Sequence, residues 1–511
     1  MVTRMRYGRP VFAVLVVLAL AGVYFAAGGG HPLAAARQAA RRAVQSSSAV
    51  VSSAVRVCPA VGSTGPTAAS VAVAAMPAAS SAGSAVVTRL TPGGSTTPGA
   101  VVATDTKPGL LQISAIRPAD PLTPAQQAGQ PGSSPNVTTS AARGGVEVEA
   151  NGAMAQGLEV EQTSPGGLVT AQCGAPGTSF WFVGPGQASA GTIELYLANT
   201  GSQAADAQLS VLTDVTKGPP LLGNVDNGIT VPPHSIVVQS LGQLLQSSRV
   251  IALNVSTSVG QVTAAVRETG PPNDGGIWLP PTGAPAEHLV IPGMPGVSGS
   301  PALYIAVPGT ISAQIKVTAV TAKGSYQPTG GTGIDLLGGS AVSIPLSSLS
   351  GVAGAISISS SVPVAATLLV SGGPAGSPGA LAVSSGPITE QGVAADNPAK
   401  SAGRTQLVLS APQHAATVRI TTATDTVSVT GQQGQTVQIA ARSSVVVPVG
   451  PPAGANATAF SVIVTPLTGG PVYAGRISTA GGTVQSVLAM PSALTSIPLP
   501  GVTNSLSAIL G

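Results

Sequence analysis

Two pairs of glutamates occupy alternate positions in the stretch VEVEANGAMAQGLEVEQ, which begins at Val146. Glu147 and Glu149 form one pair and Glu159 and Glu161 the other, and alternation along a strand places the members of each pair on one face. Two carboxylates that face one cleft could serve as general acid and base in glycoside hydrolysis. Because the stretch has no aromatic residue to form a sugar pocket, we interpret both glutamate faces as solvated.

A serine beside a histidine is the second candidate for chemistry. Ser235 follows His234, and a serine hydrolase needs such a pair together with a carboxylate that orients the imidazole. No carboxylate recurs beside Ser235, or beside Ser340 and Ser443, which align with it in the repeats described below. A hydroxyl that satisfies a turn at the start of a strand accounts for all three serines. The sequence therefore predicts no catalytic residue and no enzyme.

Metal, cofactor and nucleic-acid sites also lack a sequence signal. The four histidines, His31, His234, His288 and His414, are far apart and show no metal-ligand spacing. There is no phosphate-binding loop and no dinucleotide fingerprint. The net charge of +4 is small, and no run of Lys and Arg is interleaved with aromatic residues. We therefore predict no metal, no cofactor and no nucleic-acid partner.

The chain has two cysteines, Cys58 and Cys173, without a CxxC motif and without a neighbouring histidine. In an oxidising compartment they would form a disulfide, which closes a loop long enough to contribute roughly 4–5 kcal/mol. Two free buried thiols are the alternative. We favour the disulfide.

Composition favours strands over membrane helices for most of the chain. Only 7% of the residues are charged and 3% are aromatic, against about a quarter charged in an average soluble domain. Between Asp335 and Glu390 there is no charged residue, yet the apolar residues alternate with Ser and Gly. Such alternation is typical of strands, whereas a bilayer span is a continuous apolar run.

The N-terminus carries a membrane signal. Arg4, Arg6 and Arg9 precede an apolar run of 17 residues, Val11–Ala27, which is the pattern of a signal peptide or an uncleaved signal anchor. A buried core helix is the alternative. The arginines before the run lie closer to it than Arg37 and those that follow, which favours an N-terminus inside and an exported remainder. We expect a cell-membrane protein with an extracellular C-terminal region, or a secreted one if the signal is cleaved.

An internal repeat organises the chain from Ile193 onward. Segments that begin at Ile193, Pro301 and Thr405 share one pattern. Three leucines, spaced 108 and 104 residues apart, align near the start of the segments: Leu195, Leu303 and Leu407. Three serines align further on: Ser235, Ser340 and Ser443. Each unit holds several short strands separated by Gly/Pro turns. The expected fold is all-β, with tandem immunoglobulin-like β-sandwich modules after an N-terminal transmembrane or signal helix.

This organisation divides the chain into six segments. They are residues 1–30, a signal anchor or signal peptide; 31–145, an Ala/Ser/Thr/Pro-rich linker with a few docked strands; 146–290, 291–398 and 399–490, three β-sandwich modules; and 491–511, a C-terminal tail.

The few aromatic residues concentrate around the first of these modules. Trp181 and Phe182 precede its leading repeat strand and Trp278 follows the repeat, so we interpret them as anchors of a core otherwise made of Val, Ala and Ile. The alternative is an exposed platform for sugar, for which Trp181, Trp278 and Tyr196 are the candidate residues.

The stretches VCPAV, QCGAPGTSFWFVGPG, IELYLANTGSQAADAQLSVL and GITVPPHSIVV, together with the N-terminal signal, resemble an uncharacterised family of secreted or membrane-anchored actinobacterial proteins, known as a domain of unknown function. The resemblance covers most of the chain beyond Cys58 and is most specific from Cys173 to about Val266. It implies an envelope location and makes the two cysteines look like a paired feature. It implies no activity, cofactor or catalytic residue.

The function expected from the sequence is that of a non-catalytic cell-envelope protein, an extracellular scaffold or interaction module. Its partners would be the membrane, through the N-terminal segment, and a cell-wall polymer or another envelope protein. The alternative is a cell-wall glycan-binding protein, which needs an exposed aromatic groove. An envelope hydrolase is less favoured and needs the glutamates to converge on one cleft.

Overall fold

The computed structural model is all-β throughout the part of the chain that it describes, as the sequence predicts. The described residues are 48–59, 69–76, 82–94, 99–107, 109–116, 144–163, 170–186, 192–214, 223–224, 228–242, 245, 248–269, 277–371, 380–399, 403–425, 434–480 and 483–499. Two one-turn 3-10 helices lie among them, Ala153–Ala155 and Ser347–Leu349. No described helix has the length and apolarity of a membrane span. The predicted Val11–Ala27 segment lies outside the described residues.

The first and last described strands pair with each other. Strand β1 (Ser48–Val50) and strand β35 (Ser496–Pro498) form a two-stranded antiparallel sheet. This pair belongs to a different compact unit from residues 51–495.

Residues 51–495 build four modules of paired sheets. Module 1 contains β2 (Ser53–Cys58), β3 (Ala69–Ala75), β4 (Gly83–Leu90), β5 (Val101–Asp105), β6 (Gly109–Ile116), β7 (Gly145–Gly152), β8 (Glu159–Thr163) and β9 (Thr170–Gln172). Module 2 contains β10 (Ser179–Pro185), β11 (Thr192–Asn199), β12 (Ala205–Thr213), β13 (Gly223–Asn224), β14 (Ile229–Val231), β15 (Ser235–Ser240), β16 (Val250–Val259), β17 (Thr263–Thr269) and β18 (Ile277–Leu279).

The remaining strands form two further modules. Module 3 contains β19 (Ala286–Pro295), β20 (Ser300–Val307), β21 (Ala313–Thr321), β22 (Gly324–Tyr326), β23 (Ile334–Leu336), β24 (Ser340–Pro345), β25 (Ala353–Ser371) and β26 (Ala380–Val383). Module 4 contains β27 (Gly392–Pro398), β28 (Gly403–Ala411), β29 (Ala416–Ala423), β30 (Gln435–Ile439), β31 (Ser443–Val449), β32 (Ala459–Gly469), β33 (Tyr473–Ala480) and β34 (Thr483–Ala489).

The first two strands of every module lie in different sheets. In module 2, β10 pairs with β16 and β16 with β12, whereas β11 pairs with β15 and β17. Module 1 has the matching orders β2-β7-β4-β5 and β6-β3-β8-β9, and module 4 has β27-β32-β29-β30 and β31-β28-β33-β34. An immunoglobulin constant domain keeps its first two strands in one sheet. The strand order therefore differs from the immunoglobulin order that we expected, although tandem paired-sheet modules are present.

Module 3 joins its two sheets through one long strand. This strand is β25. The first half of β25 pairs with β19 and β21 and the second half with β20 and β26, so that β25 belongs to both sheets. Modules 1, 2 and 4 break at this place at Gly152, Gly260 and Gly469, each with a positive φ. Module 3 has Ser-Val-Pro there, from Ser361. Without a glycine to adopt the left-handed conformation the strand continues.

The aligned leucines mark the same place in three modules. Leu195, Leu303 and Leu407 lie in β11, β20 and β28, the second strand of each module, and all three are 0% exposed in the core between its two sheets. The periodicity of two that revealed the repeat thus reflects the face of each of these strands that enters the core of its own module.

The other face of each sheet is covered by a neighbouring module. Along β11, Leu195 and Leu197 enter the core of module 2, while Tyr196 and Ala198 between and beyond them enter a cluster with module 1. Representative residues of the four interfaces are Val57, Leu90 and Ile236 for modules 1 and 2; Val183, Ala252 and Ala306 for modules 2 and 3; Val290, Val320 and Tyr473 for modules 3 and 4; and Ala72, Ala74 and Ala395 for modules 4 and 1. The contacts therefore form a closed cycle.

Small residues permit close approach at these interfaces. Ala is frequent in the clusters between modules 2 and 3 and between modules 4 and 1. Between modules 3 and 4, a Cβ added to Gly475 would lie 2.4 Å from the Cα of Gly293, which is closer than any real contact. Packing of both faces by Ala, Gly and Val explains how the chain builds large cores with so few aromatic residues.

The module boundaries differ from those expected from the sequence. β7 and β8, expected to open the first module at residue 146, pair with β2, β4 and β3, so the described strands β2 to β6 within the segment 31–145 belong to module 1 rather than to a linker. The boundaries at 290/291 and 398/399 cut or exclude the first strands of modules 3 and 4, β19 and β27. In the tail, Ser492 pairs with Gly392. The short Ala- and Ser-rich strands carry too weak an apolar pattern to be recognised alone.

The predicted disulfide between Cys58 and Cys173 is confirmed, with the two Cα atoms 4.5 Å apart. The disulfide reinforces a contact that recurs among the modules, in which the chain just after the last strand forms a β-bridge to the first strand of the same module. The bridges are Val57–Gly174 in module 1, Trp181–Thr282 in module 2 and Gly392–Ser492 in module 4. Only in module 1, whose strands have the weakest alternation of apolar and polar residues, does a disulfide lie beside this bridge.

We expect the Cys58→Ala/Cys173→Ala double variant to lose about 5 kcal/mol of unfolding free energy, because the disulfide closes a loop with a sequence separation of 115. Chemical denaturation with and without reductant measures this loss. Reductant should bring the wild-type protein to the stability of the variant and leave the variant unchanged. Equal stability of the reduced and oxidised wild type would contradict this role.

Candidate functional site

Three of the four alternating glutamates are buried. Glu147, Glu159 and Glu161 are 7%, 4% and 3% exposed, and only Glu149 is exposed. The interpretation of these faces as solvated is therefore wrong for three residues. The physical reason for Glu147 and Glu161 is that the outer faces of the module 1 sheets, where an isolated sandwich would meet water, are covered by modules 2 and 4. Glu159 is instead held within module 1, by an ion pair with Arg56 at 3.4 Å and a hydrogen bond from Gln172 at 2.9 Å.

The glutamates do not converge on a common cleft. Val148 and Val160 point into the module 1 core from opposite sheets, so neighbouring residues on each strand point away from that core. Glu147 pairs with Val57, a residue of the interface with module 2, whereas Glu161 contacts module 4. An acid and base pair of carboxylates is not formed.

Glu161 instead forms a buried ion pair with Arg476. Its Oε2 lies 2.8 Å from Nη2 of Arg476, and the two side chains are 3% and 1% exposed. A β-bulge in β27 leaves backbone N–H groups free, and those of Ala395 and Asp396 donate to Glu161 at 2.8 and 3.3 Å. Arg476 Nη1 also donates to Ser478 Oγ at 2.6 Å. The network links β8 of module 1 to β27 and β33 of module 4.

Burial sets the charge state of two of these carboxyls. It raises the pKa of Glu161 to about 7, and Arg476 and the two backbone N–H groups oppose a further rise. Burial, with a smaller contribution from the nearby Glu149 charge, also raises the pKa of Glu147 to about 7. The contact between modules 4 and 1 is therefore closest to a full ion pair above neutral pH.

Glu268, at the end of β17, is a carboxyl without a hydrogen-bond partner among the described residues. It is 1% exposed, and neither carboxyl oxygen has a donor. Its surroundings are Gly184, Leu279 and Tyr304. Burial raises the pKa of Glu268 well above its ordinary value of 4.5, so the folded protein favours the neutral acid.

The aligned serines serve the turns that precede three strands. Ser235, Ser340 and Ser443 are the first residues of β15, β24 and β31, and each hydroxyl donates to the backbone carbonyl three residues earlier, at 2.7, 2.6 and 2.8 Å. The preceding residues have positive φ: His234 at 46°, Gly339 at 72° and Arg442 at 58°. The geometry agrees with the turn interpretation: the hydroxyl of Ser235 is engaged by the carbonyl of Pro232, and His234 occupies the left-handed position of the same turn.

The candidate sugar-platform residues lie within interfaces. Tyr196 and Trp278 are 1% and 7% exposed, and their rings are tilted with centroids 5.3 Å apart. The Arg267 guanidinium lies 5.7 Å from the Trp278 centroid. Trp181 is partly buried in the cluster between modules 2 and 3. These residues act as packing anchors, together with the fully buried Phe182, and a ligand cannot stack on Tyr196 or Trp278.

A polar cleft between modules 3 and 4 was missed by the sequence analysis. It has a volume of about 350 Å³ and is lined on one side by Lys316, Thr318 and Tyr326 and on the other by Arg442. Arg442 has a positive φ immediately before an aligned serine, and this alignment was the one sequence signal near the cleft. Nothing in the sequence brings it next to Lys316, 126 residues earlier in the chain.

Two further cavities do not suggest a ligand. One of about 30 Å³ lies where Gln172, Trp278 and Leu488 of three modules meet and is too small for more than about one water. An open depression of about 510 Å³ on module 4 is lined mainly by Pro, Gly and backbone around Pro448–Ala453. Across the described ranges, no three His, Cys, Asp or Glu side chains are grouped so as to hold a metal ion.

Comparison with known proteins gives one family match. A model for a family of unknown function (DUF5719) matches residues 126–450. The matched region begins within module 1 and ends in module 4, so it covers modules 2 and 3 completely. No curated protein matches the chain.

We expect Glu268→Gln to stabilise the protein increasingly as pH rises. A carboxyl whose pKa is raised on folding contributes its full stability below about pH 4.5, and that stability is lost above it by up to about 1.4 kcal/mol per pH unit. The melting temperatures of variant and wild type should therefore be close at pH 5 and differ most at pH 8. Glu287→Gln, at an exposed site on β19, is the matched control. Parallel pH profiles for wild type and Glu268→Gln would contradict this account.

Proposed function

Since the chain belongs to DUF5719, a family of unknown function, we propose its function from its geometry: a non-catalytic cell-envelope protein that acts as a rigid scaffold or interaction module. The observation that carries this proposal is the closed cycle of modules. Side chains with catalytic potential are used within it as structural contacts, as Glu161 is with Arg476 and Ser235 is with Pro232. A rigid frame of this kind displays surfaces at fixed positions.

Export across the membrane is the second part of the proposal. The N-terminal arginines and the apolar run Val11–Ala27 support a signal anchor with the C-terminal region outside. The disulfide between Cys58 and Cys173 supports the same location, because disulfides persist in oxidising compartments. We therefore propose that modules 1 to 4 lie outside the membrane.

Glycan binding is a second candidate, and one observation favours it. The aromatic groove expected for it is absent at Tyr196 and Trp278, which are buried. The cleft between modules 3 and 4, in contrast, is open and presents cationic and hydroxyl side chains beside Tyr326, which is 42% exposed. Clefts between domains are frequent ligand sites. A binding role at this cleft is compatible with a scaffold that has no catalytic activity.

One preparation from the native envelope tests location and lack of catalysis together. Peptide mass spectrometry without reductant should find a linked Cys58–Cys173 peptide, and protease added to intact cells should cleave a C-terminal tag. A fluorophosphonate probe should label the full chain no more than it labels its Ser235→Ala variant, and a glycosidase activity probe should label the folded chain no more than a heat-denatured sample. A protected tag would contradict export. Labelling of the wild type that disappears in the variant would contradict the non-catalytic assignment.

A further inference from the structure

The cleft between modules 3 and 4 has the side chains of an anion site. Lys316 and Arg442 provide two positive charges, and no carboxylate is among the residues that line the cleft. Neither Lys316 nor Arg442 forms an ion pair with any residue that the structure describes. Two unneutralised cations around one cleft create a positive potential that attracts an anionic ligand.

The cleft also offers hydrogen bonds suited to a hydroxylated ligand. Lys316 and Thr318 occupy alternate positions of β21 and share one face, and Ser357 of β25 stands directly opposite Thr318. Tyr326 and Gln327 lie beside them at the end of the β21–β22 hairpin. Hydroxyl and amide groups can exchange hydrogen bonds with sugar hydroxyls, and the cations can donate the stronger, charge-assisted hydrogen bonds to an acidic substituent.

Packing holds the two walls of the cleft in place. Ser444 of β31 donates from Oγ to the backbone carbonyl of Val320 at 2.7 Å, across the interface of modules 3 and 4. The Arg442 backbone N–H donates to the Ala411 carbonyl at 2.8 Å. Both cations are therefore presented from rigid elements, so binding does not require the ordering of a loop.

Arg442 occupies a backbone position that does not favour it. Its φ of 58° lies in the left-handed region, and module 3 has Gly339 at the corresponding place with a φ of 72°. A side chain other than glycine is strained there. Module 2 also has a residue other than glycine there, His234 with a φ of 46°, so the strain alone does not mark a binding residue. What distinguishes Arg442 is that its side chain adds a positive charge to the lining of the cleft.

We propose that this cleft binds an anionic glycan, in which carboxylate or phosphate groups engage Lys316 and Arg442 while sugar hydroxyls engage the polar lining. The volume of about 350 Å³ suits one or two sugar units of a longer chain. The proposal rests on the second candidate function and specifies its ligand class and its residues. It is independent of the scaffold role.

Isothermal titration calorimetry on the full chain tests the proposal with three probes: oligogalacturonate, which carries carboxylates; a glycerol phosphate oligomer, which carries phosphates; and neutral maltohexaose. We expect at least one anionic probe to bind at least tenfold more tightly than maltohexaose, and its affinity to fall as NaCl rises from 50 to 300 mM. The tighter of the two anionic probes identifies the group recognised. Equal binding of the neutral probe, or no binding by either anionic probe, would overturn the proposal.

Variants separate the cleft from general charge. We expect Lys316→Gln and Arg442→Gly each to weaken anionic binding about tenfold, and the double variant about a hundredfold. Arg442→Gly should melt no lower than wild type, because Gly339 shows that glycine suits this position. Arg419→Gln removes an exposed charge of module 4 outside the cleft and should change affinity less than twofold. Unchanged binding in a well-folded double variant would overturn the site and leave the scaffold proposal intact.

Discussion

Burial of both faces of every sheet in the four modules is the constraint on which the rest of this structure depends. Each of these sheets packs one face within its module and the other against a neighbour. A linear row of such modules would leave two large apolar faces in water, one at each end. Contact between modules 4 and 1 removes both faces at once. The Glu161–Arg476 pair lies in that contact and gives it polar specificity, since each charge is costly to bury without the other.

The sequence allowed prediction of features that depend on one module alone. The leucine and serine alignment was sufficient to find a repeat, because each serine meets a carbonyl only three residues away. Export and location remain predictions from the N-terminal residues. Module 1 was missed because its short strands, such as ASVAVAA from Ala69, carry small residues whose burial depends on neighbouring modules.

Features that depend on contacts between modules could not be predicted from one sequence. An alternating strand normally exposes its polar face, so Glu147 and Glu161 were assigned to water, and only the cycle shows them buried. Trp278 and Tyr196 are on different strands of module 2, and their contact with module 1 removes them as a sugar platform. The cleft arises in the same way, because Lys316 and Arg442 come from separate modules.

A double-mutant cycle on Glu161 and Arg476 tests the closed cycle most directly, since these residues are 315 positions apart in the chain. Glu161→Gln, Arg476→Leu and the double variant are compared by chemical denaturation at pH 8, where the carboxyl is mostly ionised. In module 3 the position equivalent to Arg476 is Leu368, because each of them pairs with the aligned leucine of its module's second strand, Leu407 and Leu303 respectively. Leucine therefore fits this position of the module. We predict a loss of about 3–5 kcal/mol for each single variant and a double variant less destabilised than their sum by at least about 1.5 kcal/mol. Additive effects, with modules 1 and 4 unfolding in separate transitions, would contradict the closed cycle.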